Sequence, residues 1–321
     1  MSNTALLQHP VLRVLRAAIT EQSIADGPLL LAVSGGRDST ALAGAMAVLQ
    51  QRDELGLLRI AHVHHGQRSE SDDEAALVER LGERLDLPVE VLRLDVERGA
   101  SAAVLRDARY HALTEAAGRC RADAVITAHH ADDQLETVLL ALTRGAGPRG
   151  LAGMAATRHL DDGLRLVRPV LQATRADLTD LCMQLDLPYC DDPCNVDPDT
   201  LRGRLRRDVL PVLEAMRPGV SGRAAAMAPV QAAAATAFAS LLPRAKNGVW
   251  DRALLARLPQ AIRLAALHTA ASELADVDAL STASLADAAA AIGDAREHQR
   301  AFELGGGVTA VIDANRVKIS C

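Results

Sequence analysis

Aromatic residues are nearly missing from this chain: one Trp, two Tyr and two Phe among 321 residues. Surfaces that bind extended single strands stack bases on aromatic rings, so this scarcity argues against one; a folded RNA read mainly by shape stays compatible. Lysine is as scarce, with Lys246 and Lys318 the only two, so the positive charge is almost all arginine. The net charge of −6, from 35 basic and 41 acidic residues, argues against a general nucleic-acid binder unless a local patch overrides it. No apolar run reaches the length of a membrane span. The opening "MSNTALLQHPVLRVLRAAI" carries two arginines inside its apolar stretch and lacks a small-residue cleavage pattern. It reads as an amphipathic helix within residues 1–26, with a cytoplasmic location and no membrane partner expected. Five cysteines, Cys120, Cys182, Cys190, Cys194 and Cys321, form an odd, scattered set with no disulfide framework. Cys190 and Cys194 have the spacing of half a zinc site, but no second Cys/His pair with suitable spacing follows.

Apolar runs alternate with helical patterns through the first two-thirds. Strands are expected at 29–34, 58–64, 89–95 and 123–128, with a shorter one at 164–168. Helices are expected near 39–52, 71–86, 102–119 and 132–143. Continuous apolar strands interleaved with helices specify an α/β fold with a mostly parallel, doubly wound sheet, whose ligands sit beyond the strands' carboxyl ends. The Asp/Pro-rich stretch 191–200 reads as a structured loop, followed by the arginine-dense "LRGRLRRDVLPVLEAMRPG". We expect a catalytic domain over 1–218 and a mainly helical domain over 219–321 ending in a β-hairpin.

The string Ser34-Gly35-Gly36-Arg37-Asp38-Ser39 stands between a buried strand and a helix. Glycines let backbone N–H groups approach an anion, and the helix start presents its positive dipole end. Ser34 and Ser39 add hydroxyl donors. Asp38 beside a phosphate calls for a bridging Mg²⁺. The alternative is a tight turn with a Ser or Asp N-cap. The Walker A and G-x-G-x-x-G patterns are both missing. The six residues resemble the S-G-G-x-D-S motif of the PP-loop, or N-type, ATP pyrophosphatases. That resemblance implies a loop holding the pyrophosphate end of ATP, with adenylation of a substrate oxygen.

Four further segments narrow the resemblance: "AHVHHGQR" (61–68), "RDARYHAL" (106–113), "TAHHADDQLETVLLALTRGAGPRGLAGM" (127–154) and "RPVL" (168–171) leading to "DDPCNVDPDTLRGRLRRDVLP" (191–211). In this order they resemble the tRNA(Ile)-lysidine synthetase family over roughly residues 28–218. His64, Cys194 and Gly203 depart from the family's usual Asp/Asn, Ser and Asn. The resemblance implies ATP and Mg²⁺ as cofactors, with L-lysine and an isoleucine tRNA bearing a CAU anticodon as partners; a homodimer is compatible. ATP would adenylate O2 of the wobble cytosine, and the lysine ε-amine would displace AMP at C2. The modified base pairs with adenine, so codon reading changes from AUG to AUA. Two alternatives stay open: a PP-loop tRNA cytidine thiolase, whose common paired C-x-x-C motifs are missing here, and a non-catalytic nucleotide- or RNA-binding relative.

Asp133 and Glu136 lie three apart on one helix face after the fourth strand. They read either as a complement to the helix dipole or as a pair holding the ammonium groups of lysine, one of them taking a proton from the attacking amine. Asp132 fits the N-cap. Of His129 and His130, adjacent on a strand end, one is expected to line the ATP cleft and the other to pack. His65 with Gly66 forms a turn on the nucleotide side. The resemblance favours Arg109 as a contact to ATP or to the transition state, where charge builds on departing pyrophosphate. Arg202, Arg206 and Arg207 read as a solvated face, a second anion clamp over ATP or, in the reading adopted, RNA-phosphate contacts.

Overall fold

The computed structural model describes residues 6–66, 71–97, 99–160, 163–190, 200–275, 279–294, 296 and 298–321. The chain divides into two compact units: Met1–Leu140 with Ala152–Pro229, and Ala141–Leu151 with Val230–Cys321.

The first unit is built around Leu29–Ala32 (β1), buried along its whole length. Four consecutive apolar residues need both faces covered, and both are. Leu29 and Leu31 join one hydrophobic cluster with Ile60, Ile126 and Val167; Leu30 and Ala32 join another with Ala61, Val125 and Leu166. The other strands are Leu58–His64 (β2), Val89–Arg93 (β3), Ala124–Ile126 (β4), Thr157–His159 (β5) and Arg165–Val167 (β6), in spatial order β3-β2-β1-β4-β6-β5. Every pairing is parallel except β5 with β6. The doubly wound sheet expected from the sequence is present. Its polar edge strand β5, Thr-Arg-His, was not among the expected strands.

The helices are Pro10–Gln22 (α1), Arg37–Gln50 (α2), Ser71–Leu85 (α3), Ala102–Cys120 (α4), Ala131–Thr143 (α5) and Arg175–Gln184 (α6). Pro10 opens α1, and the His9 ring accepts the Val11 N–H. Helix α2 packs closely because its inward residues are small. A Cβ on Gly44 would fall 2.5 Å from the Leu187 side chain and 2.9 Å from that of Leu185. The chain runs from β1 outward to β2 and β3, then crosses back to β4 on the other side of β1. That reversal sets the carboxyl ends of β1 and β4 side by side at the switch point, where open α/β sheets bind ligands.

Further along, Leu201–Arg204 (α7), a π-helical turn over Leu205–Val209 and Leu210–Met216 (α8) run continuously. Leu205 and Leu210 pack with Leu135, fastening this segment to α5. The loop expected at 191–200, with Cys194 and Asn195, lies outside the described residues apart from Cys190 before it and Thr200 at its end, as do Gln67 and Arg68. Helix Val220–Ser240 (α9) contains Pro229, where the first unit ends.

In the second unit Val249–Asp251 (β7), Arg252–Ala256 (α10), Gln260–Ala271 (α11) and Thr282–Ile292 (α12) precede Arg300–Gly305 (β8), Val308–Ile312 (β9) and Arg316–Ser320 (β10). Where a terminal hairpin was expected, the structure has a four-stranded antiparallel sheet in the order β7-β10-β9-β8. The alternating buried residues Val317 and Ile319 make β10 a strand in its own right, paired on both edges. Buried Arg252 donates to the carbonyls of Ala291, Ile292, Asp294, Arg296 and Asp313.

Candidate active site

The loop after β1 is held by its own groups. Gly35 takes φ +88°, a conformation that a side chain would strain. The Ser39 hydroxyl donates to the Gly36 carbonyl at 2.9 Å and accepts the Ser34 N–H at 3.2 Å, and the two hydroxyls lie 3.1 Å apart. Both serine hydroxyls, expected as donors to a phosphate, are thus engaged within the loop. Cys190 braces the loop through its backbone, its N–H donating to the Gly35 carbonyl at 3.0 Å. Gly36 supplies no capping side chain, so the positive end of the α2 dipole is presented to the cleft. Arg37 lies 4.6 Å over the Tyr189 ring.

The loop after β4 is held by charge. His130, only 3% exposed, stands among three carboxylates: Asp38 at 3.4 Å, Asp132 at 3.5 Å and Asp133 at 3.4 Å. Burial opposes its charge, but Asp132, Asp38 and Asp133 outweigh burial and raise its pKa to about 10. His129 goes the other way. Burial lowers its pKa to about 4 against the pull of Asp133, and its Nδ1 lies 2.9 Å from the Thr127 hydroxyl. Both histidines reach the cleft, but His130 is buried while His129 is half-buried, and the two differ in charge as well as in access. Asp132 does not cap α5. It accepts the Arg175 N–H at the start of α6 at 2.8 Å, and with His130 this outweighs its burial and lowers its pKa to about 2. Asp133 instead reaches back to the His130 N–H at 3.1 Å.

Glu136 is fully buried. It accepts from Arg202 Nε at 2.8 Å and from Arg206 Nε and Nη2 at 2.6 and 3.0 Å; Arg206 Nη2 also reaches Asp133 at 3.1 Å. The π turn carries Arg206 into this position. Asp133 is held below the usual carboxylate range: burial alone would raise it, but His130, His129 and Arg206 lower it further. Arg202 and Arg206, read from sequence as RNA contacts, are here the counter-ions of the two candidate carboxylates. Arg207 points elsewhere and makes a forked pair with Asp208 at 2.8 and 2.9 Å.

Asp38, His129, His130, Asp133, Arg202 and Arg206 line one cleft of about 640 Å³ together with Ser34, Arg109, His62 and His65, and buried Glu136 meets it through its pairs with Arg202 and Arg206. Buried His62, its pKa lowered by burial, places Nδ1 2.9 Å from the Val33 carbonyl. Burial lowers the Arg109 pKa, Tyr110 opposes this and Arg106 adds to it. Arg175 and Cys190 were not assigned to the site from sequence, and His130 only as one of a pair of which one would line the cleft. Their roles rest on contacts between distant segments, and only the T-R-A-D helix start at 174–177 marks Arg175 locally. Asp38 places one carboxylate oxygen near His130, with Arg175 at 3.8 Å, while Oδ1 is buried without a hydrogen-bond partner. No cluster of three or more His, Cys, Asp or Glu residues suited to holding a metal occurs among the described residues.

The sequence model of the PP-loop domain family matches residues 8–213. Similarity to curated proteins extends beyond that domain. The tRNA(Ile)-lysidine synthase of Salinispora arenicola is 44% identical over 273 residues, covering 82% of this chain and 81% of that one. Its counterpart from Methylobacterium sp. is 42% identical over 260 residues, covering 77% and 74%. Among solved structures, the U34-tRNA thiolase NcsA of Methanococcus maripaludis, with its iron–sulfur cluster, matches with a TM-score of 0.61 at 15% identity, covering 72% of this chain and 81% of that one; this is a likeness of fold alone. With the glycine loop, His130 and Asp133 facing one cleft, and with these relatives, the chain belongs to the tRNA(Ile)-lysidine synthase family of PP-loop enzymes.

Proposed function

We propose that this chain ligates L-lysine to C2 of the wobble cytidine of a CAU-anticodon isoleucine tRNA, consuming ATP and releasing pyrophosphate and AMP. The observation that carries this reading is the His130 bridge. It brings Asp38 of the phosphate loop and Asp133 of the carboxylate helix within 3.4 Å of one ring, so both half-reactions share a cleft. The Gly35–Gly36 loop and the α2 dipole hold the ATP phosphates. The orphaned Asp38 Oδ1 suits a Mg²⁺ arriving with ATP, which would neutralise charge on the phosphates. Cytosine O2 attacks the α-phosphorus and pyrophosphate leaves; Arg109 faces the charge that builds there. The lysine ε-ammonium gives up a proton to solvent, the freed amine attacks C2, and the C2–O bond breaks to release AMP.

Asp133, held ionised, suits the binding of an ammonium group better than the removal of its proton. The ammonium groups of lysine compete with Arg206 and Arg202 for Asp133 and Glu136, and an arginine displaced in this way turns to phosphate. The reaction belongs in the cytoplasm, where tRNA and ATP meet; no helix among the described residues is long and apolar enough to cross a membrane. Mass spectrometry of nucleosides from CAU-anticodon tRNA incubated with the protein, ATP, Mg²⁺ and lysine tests the reading. Lysidine should accumulate only when all four are present, and unmodified cytidine under those conditions overturns it.

A further inference from the structure

Three arginines unused in the reaction above, Arg106, Arg158 and Arg168, gather with Arg109 around Tyr110. The guanidinium carbons of Arg158, Arg106 and Arg109 lie 4.5, 5.6 and 5.9 Å from the phenol ring centre, and Arg168 adds its charge to the same phenol. Sheet geometry explains the convergence. Arg106 and Tyr110 stand one helical turn apart on α4. Arg158 pairs across the strands with Leu166, which packs in the same cluster as Tyr110. Arg168 follows β6 directly.

Among the described residues, none of the four forms an ion pair. Arg168 is 4% exposed; its Nη1 donates to the Ala155 carbonyl at 2.6 Å, while its Nε is buried without an acceptor. Arg158 Nε is likewise buried without an acceptor. Burial would raise the Tyr110 pKa, yet the surrounding arginines bring it below its ordinary value. Like charges repel, and unfilled buried donors are costly. An anion with two acceptor oxygens relieves both at once, and a phosphodiester matches the guanidinium fork.

The cluster lies on the α4 face of the sheet, with Arg158 and Arg168 coming from the β6–β5 edge. Arg109 alone of the four lines the cleft, which leaves Arg106, Arg158 and Arg168 for a second anion beside it. An RNA whose target base enters the cleft carries a phosphate on each side of that nucleotide. We infer that Arg106, Arg158 and Arg168, set around Tyr110, form a seat for a backbone phosphodiester of the RNA flanking the target cytidine; this rests on the RNA substrate proposed above.

The test measures binding of a CAU anticodon stem-loop RNA across a salt series. Arg106→Gln and Arg158→Gln should each weaken binding about tenfold and lower the slope of log affinity against log salt by about 1. Arg158→Lys keeps the charge and should recover the slope, and thermal melts of both position-158 variants show whether the fold is kept. NMR of protein labelled at the tyrosine ring carbon bearing oxygen, assigned with Tyr189→Phe, gives a second readout. RNA should move the Tyr110 titration upward, because a bound anion opposes the cationic field, whereas inorganic pyrophosphate alone, meeting only Arg109 of the four, should move it less. Unchanged affinity and slope in both Gln variants, with wild-type binding intact, overturns the seat and spares the RNA reading. Pyrophosphate shifting Tyr110 as far as RNA does also overturns it, by assigning the cluster to the nucleotide. A wild-type protein that binds no stem-loop overturns both.

Discussion

The two loops at the switch point do adjacent work by different means. The loop after β1 is tied by hydroxyl and backbone hydrogen bonds among Ser34, Gly36, Ser39 and Cys190, none of which depends on a titrating side chain. The loop after β4 is tied by charge: one buried imidazolium among three carboxylates, and a buried glutamate under two guanidiniums. In the function proposed above, the first loop cradles phosphates and has to hold one shape, whereas the second takes a cationic substrate and has to exchange one cation for another, which ion pairs permit.

The largest effect expected is on chemistry. Asp38→Asn removes the only carboxylate of the phosphate loop and should slow adenylation by about 10²-fold or more, with tRNA binding nearly intact. AMP release at the wild-type rate would remove Asp38 from the nucleotide site. Next comes the buried pair. Arg206→Ala leaves Glu136 with one partner and should cost about 3–5 kcal/mol in denaturant unfolding. Glu136→Gln keeps the shape and removes the charge. It should raise the lysine requirement and let adenylated tRNA persist in single-turnover assays. Loss of adenylation with normal lysine dependence would reassign Glu136 to the ATP side.

The two loops also part in their response to pH. His130 is raised from 6.5 to about 10, so its contribution is full below pH 6.5 and is lost as pH rises through 10. Asp132 is lowered from 3.8 to about 2, so its contribution is present above pH 3.8 and is lost as pH falls through 2. Unfolding free energy of wild type and His130→Gln should therefore diverge most between about pH 4 and 6.5 and converge as pH rises through 10. Ser39→Ala, on the other loop, should cost about 1 kcal/mol with no pH dependence. The smallest effect is at Arg207, whose exposed pair with Asp208 is screened by solvent and adds little to stability. Arg207→Ala should leave melting unchanged, and any loss of tRNA affinity would then report RNA contact directly.

The strands of the first unit were legible because both faces of the sheet are covered, which writes continuous apolar runs such as Leu29–Ala32 into the chain. Strand β5 was not legible, since Thr157, Arg158 and His159 form a polar antiparallel edge with no such run. The glycine loop and the Asp133/Glu136 spacing were visible as local patterns. The partners of those carboxylates were not, because Arg202 and Arg206 follow Glu136 by 66 and 70 positions and only the packing of Leu205 and Leu210 on Leu135 brings them back. The same holds for Asp132, whose partner is the backbone of Arg175, 43 positions on. Local chemistry reads from sequence; the choice of counter-ion depends on folding.

The π turn at Leu205–Val209 holds one residue more than an α-helical turn would, with the Leu210 N–H reaching back to the Leu205 carbonyl. Each residue advances a helix by about 100°. Deleting a single residue there would give a more regular rod, yet swing everything upstream, Arg202 included, around the axis relative to everything downstream. The irregularity works as a gear tooth: it sets the phase between the arginines and the leucines that anchor them. A chain repaired to ideal geometry at this point would gain regularity and lose the alignment of its cations with Glu136.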